Sequence, residues 1–292
     1  MSTVKAQISI SPIELQKLSA GNFSQEDLDA LKKTTTIFIY KDNDDVEKLN
    51  EIFTKYWKIS KFKLIQIREY DKDKFDNTYS FLNICSYVKE NIKDNSRLCF
   101  VYLNLWMNDA SGKKKSFARI EISASHNTIV GYSTMIRPLY LKQVEVYNWG
   151  PGYIKNYIQI INDYLSKGET HSLYSDSKDA EIAKLKNDTL YVPNTMLIKY
   201  NMFTGEENKK FDEKDLMSDY KYPYKMVTNE EINKLILSRP QGIYYVLPAK
   251  SGTDKYISVI NSNTGNIVYY NYTPVSYNFS EKDFRKISKS VE

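Results

Sequence analysis

Apolar positions change period several times along the chain, and each change marks a predicted element. Thr34 to Tyr40 is β-branched and aromatic throughout, which predicts a strand. Val46, Leu49, Ile52, Phe53 and Tyr56 then recur at helical spacing, and Phe62 to Ile67 alternates as a second strand. Aromatic-rich strands follow over Tyr79 to Val88, Arg97 to Trp106 and Phe117 to Ser123, with another alternating segment over Thr128 to Arg137. Tyr153, Ile154, Tyr157, Ile160, Ile161 and Leu165 outline an amphipathic helix behind Gly150-Pro151-Gly152. The second half gives a strand at Thr189 to Val192 with Met196 to Met202 as its hairpin partner. A charged helix near Asp212 to Asp219, a strand from Tyr224 and a helix over Glu230 to Leu237 come next. Strands at Gly242 to Leu247, Lys255 to Ile260 and Ile267 to Tyr272 form a last meander before a closing helix.

Helix starts carry their own chemistry. Ser24-x-x-Asp27, Thr228-x-x-Glu231 and Ser280-x-x-Asp283 each pair a capping hydroxyl with a carboxylate three residues on. Ser11-Pro12-Ile13-Glu14 has the same form with Pro at the first helical position, and Gly21 ends that short helix.

The order of elements repeats. Leu31-Lys32-x-x-Thr35 has a counterpart in Leu185-Lys186-x-x-Thr189, and Phe62-Lys63 in Tyr224-Lys225. The expected fold is α+β: two similar β-α-β-α-β-β modules in tandem, with mixed sheets and helices on one face. Residues 1–23 form an N-terminal segment, 24–167 the first module and 185–292 the second. Residues 168–184, polar and poor in apolar side chains, are the predicted linker.

Composition narrows the function classes. The 41 Lys and Arg against 36 Asp and Glu leave a net charge of +5, and the basic residues are interleaved with acids, as in Asp71-Lys72-Asp73-Lys74. That lacks the one-sided basic stripe of a nucleic-acid binder. No run of about 18 apolar residues predicts a membrane span. The 25 Tyr suit half-buried strand faces, and exposed rows of them would stack on sugars. Ser2 to Gln7 has the small-residue character of the end of a secretory signal. Cys85 and Cys99 fall on two adjacent predicted strands joined by a loop at Lys89 to Ser96, nearly opposite each other. In an exported protein that suits a disulfide; in a cytosolic one the two remain thiols.

Candidate chemistry is sparse. Both histidines, His126 and His171, lack Cys or carboxylate neighbours at ligand spacing. Asp42-x-Asp44 opens like a calcium loop, but Val46 stands at the next ligand position, so Asp44 is expected to cap the following helix with Glu47 reaching back. Gly150-Pro151-Gly152 lacks the spacing of a phosphate cradle, and Gly131-Tyr132-Ser133-Thr134 lacks the second glycine of a nucleophile elbow. No catalytic, metal or cofactor residue is singled out.

Tyr222-Pro223-Tyr224, Asp254 to Val259 and Thr264 to Tyr269, with Val4-Lys5-Ala6-Gln7, resemble uncharacterised exported proteins of Bacteroidota-type bacteria. The order of elements is similar to small α/β envelope modules such as the N-terminal domain of the Tol translocation protein, an analogy of fold alone. The resemblance implies a periplasmic or secreted protein. The expected function is non-enzymatic binding of another envelope component. The alternatives are a hydrolase with a carboxylate-based site between the modules and a Tyr-lined carbohydrate binder.

Overall fold

The β-branched run becomes strand β2 (Thr35–Tyr40), buried along its middle and flanked in parallel by β3 (Lys61–Gln66) and β4 (Tyr79–Asn91). In this computed structural model residues 8–13, 24–91, 96–125, 146–171, 176–200, 207–208, 210–251, 254–276 and 278–292 are described. β4 continues antiparallel into β5 (Ser96–Asn108), then β6 (Lys114–Glu121), and β1 (Ile8–Ile13) closes the edge. The first sheet therefore runs β1-β6-β5-β4-β2-β3. Helices α1 (Gln25–Lys33) and α2 (Val46–Tyr56) fill its connections; the Ser24–Asp27 box of α1 forms, and Leu49, Ile52 and Phe53 of α2 are buried at the expected spacing.

Six strands build the second sheet too: β7 (Ser177–Lys178), β8 (Leu190–Pro193), β11 (Tyr224–Val227), β12 (Tyr244–Ser251), β13 (Asp254–Asn261) and β14 (Ile267–Thr273). A separate two-stranded ladder joins β9 (Lys199–Tyr200) to β10 (Glu207–Asn208). The second sheet runs β11-β8-β12-β13-β14-β7, with β8 parallel to both neighbours and the rest antiparallel. Strand order and direction thus coincide position for position with the first sheet. The connections differ: α4 (Glu213–Met217) and α5 (Asn229–Ser238) stand in the second half where α2 and two 3₁₀ turns stand in the first.

Helix α3 (Pro151–Lys167) joins the halves. It packs on α2 from one side and on α5 from the other. One apolar core accordingly runs from Phe38 and Phe53 through Tyr157 and Ile161 to Ile232, Tyr245 and Leu247. A second core lies on the opposite face of the second sheet, where Val246, Ile257 and Val259 meet Phe284, Ile287 and Val291 of α6 (Glu281–Val291). Alternation along β12 and β13 sends successive residues into the two cores. The second sheet is therefore covered on both faces, not on one.

Two close approaches fix α3. A Cβ on Gly152 would lie 2.4 Å from the Asn233 carbonyl oxygen, so only glycine lets α3 meet α5 there. The Lys155 ammonium, buried, donates to the carbonyls of Ser262 (3.0 Å) and Ile236 (3.4 Å), and Asn156 links the Ser262 carbonyl to the Tyr245 hydroxyl.

Several expectations need correcting. Residues 168–184 are no free linker: they contain β7 and most of a 3₁₀ helix, Ala180–Lys186, whose Ile182 and Leu185 are buried. Within the N-terminal segment Ile8–Ile13 pairs with β6, and Ser11 and Pro12 lie at a register irregularity in that strand instead of starting a helix. Proline fits such an irregular edge, where no ladder N–H is required. Met196 to Met202 is not a hairpin partner of β8, whose neighbours are the parallel β11 and β12. The Cys85–Cys99 disulfide fails on register: Cys85 faces Tyr102 and Cys99 faces Val88. The strands extend to Asn91 and Ser96, so the pairing is centred further along than expected and the two cysteines do not stand across from each other. Cys85 is a free, buried thiol.

Candidate functional site

In open α/β sheets ligands usually sit beyond the carboxyl ends of parallel strands. Here both carboxyl edges are closed by internal pairs. At the end of β2, Asp44 accepts the Lys41 backbone N–H at 2.7 Å and the Trp149 indole N–H at 3.1 Å. Burial pushes its carboxyl up despite those bonds, and burial likewise lowers the nearby Lys41 ammonium. Arg68 pairs with Asp42 alongside. Beyond β8, Asn229 donates to the Thr195 hydroxyl at 3.1 Å and accepts from Tyr153 at 3.1 Å.

The amino edges differ. In the first sheet Thr34 and Thr36 each meet the Ser80 hydroxyl at 2.7 Å, and Thr36 meets Ser60 at 2.6 Å, so hydroxyls close the edge. In the second sheet the amino ends of β8 and β12 open into a polar cleft of about 530 Å³. The 3₁₀ helix supplies Glu181 and Lys184, the residue after α5 supplies Arg239, the end of β13 supplies Asn261, and the β13–β14 turn supplies Asn263 and Thr264. Gly265, at φ +82°, lets that turn close against Gln159 of α3.

Glu181 organises the floor. Its Oε1 accepts from the Asn261 amide at 2.7 Å, the Tyr244 hydroxyl at 2.9 Å and the Lys184 ammonium at 3.1 Å. Burial by itself would raise its pKa, but the bonds from Lys184, Tyr244 and Asn261 outweigh it and hold the carboxyl below its ordinary range. Burial first, and the neighbouring Glu181 second, raise the Tyr244 hydroxyl, which stays a donor. Asp188 also lines the cleft, so two carboxylates face two cations, Lys184 and Arg239. The lining carries no net charge. Arg239 lies 5.9 Å over the Tyr191 ring, a planar cation on an aromatic wall.

The residues weighed from the sequence fall elsewhere. His171 is buried between Tyr164 and Tyr270, at ring distances of 5.4 and 5.9 Å, with Nε2 unpartnered among the described residues. Burial lowers its pKa to about 4, so it is a neutral packing residue near neutral pH. His126 and the Gly131 to Thr134 stretch lie outside the described residues. The N-cap of α2 is Asp45, not Asp44, and Gly150-Pro151-Gly152 serves the α3–α5 contact, with the Gly152 N–H on Asn233. The Cys85 thiol is pushed up by burial, which suppresses thiolate chemistry. Among the described residues no group of three or more His, Cys, Asp or Glu is placed to hold a metal, and no helix is long and apolar enough to cross a membrane.

Glu181, Lys184 and Arg239 were not singled out from the sequence. Two of them lie in the stretch read as linker; the signal there was the three-residue spacing of Ile182 and Leu185, which marks a packed turn of helix. No protein-family model, no curated protein and no solved structure matches the chain.

Proposed function

We propose that this chain is an exported, non-enzymatic binding protein whose cleft at the amino ends of β8 and β12 holds a small polar ligand of no net charge, a carbohydrate borne by another envelope component. The observation that carries the reading is the lining itself: two acids balanced by two bases, with amides and tyrosine hydroxyls between them. Planar amides, carboxylates and guanidinium offer paired donors and acceptors at fixed angles, which suits vicinal hydroxyls. Charge balance disfavours a strongly ionic ligand. The resemblance of the C-terminal stretch to exported proteins supports a setting outside the cytoplasm.

A glycosidase would use one carboxyl with a raised pKa as acid. Glu181 is shifted the other way and engaged by three donors, which favours binding over hydrolysis. Calorimetric titration with a panel of neutral mono- and oligosaccharides tests the reading. Saturable binding that weakens in Arg239→Ala and Glu181→Gln supports it. Absence of binding across the panel, or turnover of a chromogenic glycoside, overturns it.

A further inference from the structure

A second concavity carries the opposite electrostatic logic. It lies where edge strand β7, strand β14 and the last turns of α6 meet, and measures about 370 Å³. Lys178, Lys286 and Lys289 line it, with the hydroxyls of Ser177 and Ser290. The carboxylate in the lining, Asp176, already accepts the Tyr272 backbone N–H at 3.0 Å. Three ammonium groups thus face one engaged carboxylate.

The site is partly built. Lys286 donates to Oδ1 of Asn271 at 3.0 Å, and Asn271 is only 6% exposed, so this ammonium is held in place by a buried amide. Fixing one donor beforehand lowers the ordering cost of binding. Tyr269, 5% exposed, sits at the base, its hydroxyl kept protonated by burial and then by the charges of Asp176 and Asp283. Lys178 and Lys289 have no carboxylate within ion-pair distance among the described residues; the exposed Glu292 acts on Lys289 at longer range.

We propose that this groove binds a phosphate-class anion, either a free phosphate ester or the phosphate of a headgroup. Lysine recognises phosphate as a point charge, and hydroxyls supply the remaining donors. The inference does not rest on the cleft: its residues and its charge are separate.

The test uses the full chain at constant low ionic strength, titrated calorimetrically with inorganic phosphate and with glycerol 3-phosphate. The double variant Lys178→Gln, Lys289→Gln alters two exposed positions, so folding is retained, and Arg239→Ala serves as the cleft control. The expected result is saturable one-site binding, weakened about tenfold or more in the double variant and unchanged in the control. Equal binding by wild type and double variant overturns the proposal, as does a response that sodium chloride reproduces. Co-sedimentation with phosphatidylcholine vesicles containing phosphatidylglycerol separates the sources. Pelleting relieved by glycerol 3-phosphate supports a headgroup in the groove; pelleting without any response to the small anions assigns the charge to a flat surface and overturns it.

Discussion

The two sheets follow one course of strands, yet their amino edges end differently. In the first, Thr34, Thr36, Ser60 and Ser80 bond one another and leave the edge shut. In the second, a 3₁₀ helix replaces α1, and its Glu181 and Lys184 line an opening instead of a seal. The crossovers diverge likewise. α2 is one amphipathic helix with Leu49, Ile52 and Phe53 inward, whereas the chain between β8 and β11 is divided among a short 3₁₀ helix, the β9–β10 ladder and α4. A strand framework constrained by register tolerates such exchange, because connections on the surface can vary without moving the ladders.

The comparison breaks most readily at the buried ion pairs, one in each half among the described residues. Arg119–Glu121 lies on β6, and Lys255–Asp283 ties β13 to α6 at 2.6 Å. Lys255→Met leaves Asp283 buried without its cation and is expected to cost about 3–5 kcal/mol in urea unfolding. Arg119→Met should cost a similar amount if the halves are equally rigid; a value near zero would show that the first sheet relaxes where the second does not.

Next in size is α3, which serves both halves. Ile161→Ala, at a fully buried position, should cost about 3 kcal/mol and shift one cooperative transition. Two separate transitions, one per sheet, would show that the continuous core does not couple them.

His171 sharpens the contrast at acid pH, because it sits where α3 meets β14 of the second sheet, between Tyr164 and Tyr270. Its folded pKa of about 4 lies below the ordinary 6.5, so the unfolded chain binds the proton more readily. Stability is complete above about pH 6.5 and is lost as pH falls towards 4, by up to about 3 kcal/mol. His171→Phe should flatten that slope. A slope unchanged in the variant would assign the acid sensitivity to other groups.

The smallest effect on stability belongs to the cleft. Arg239→Ala and Lys184→Ala should change unfolding free energy by no more than about 0.5 kcal/mol, since both side chains are exposed. Thr36→Val, in the closed edge of the first sheet, should cost about 1–2 kcal/mol because it removes the hydroxyl that bonds both Ser60 and Ser80. Equal costs at both edges would remove the distinction between seal and cleft.

Much of the architecture could be read in advance where period and capping agreed. The boxes at Ser24, Thr228 and Ser280 all form, and the α2 and α3 apolar positions point inward or pack at the boundary, except Val46, which is exposed at the first position of α2. What escaped was set by long-range pairing. A two-residue strand such as β7 has no period of its own, and Ser11-Pro12 satisfied a helix signal while the β6 edge claimed it. The Cys85 register turned on the position of one turn. The cleft escaped for the same reason: Glu181, Asn261 and Arg239 lie far apart in sequence, and only the sheet brings them together.

Helix α3 has ten buried residues among its seventeen, spread around its circumference. During synthesis it leaves the ribosome before α5 and β12 have followed it out. Until α5 and β12 arrive, one greasy flank of α3 stands bare beside an already folded first sheet. Chains truncated after residue 167 and released from the ribosome should therefore recruit chaperones and clump, while chains extended past residue 261 should not.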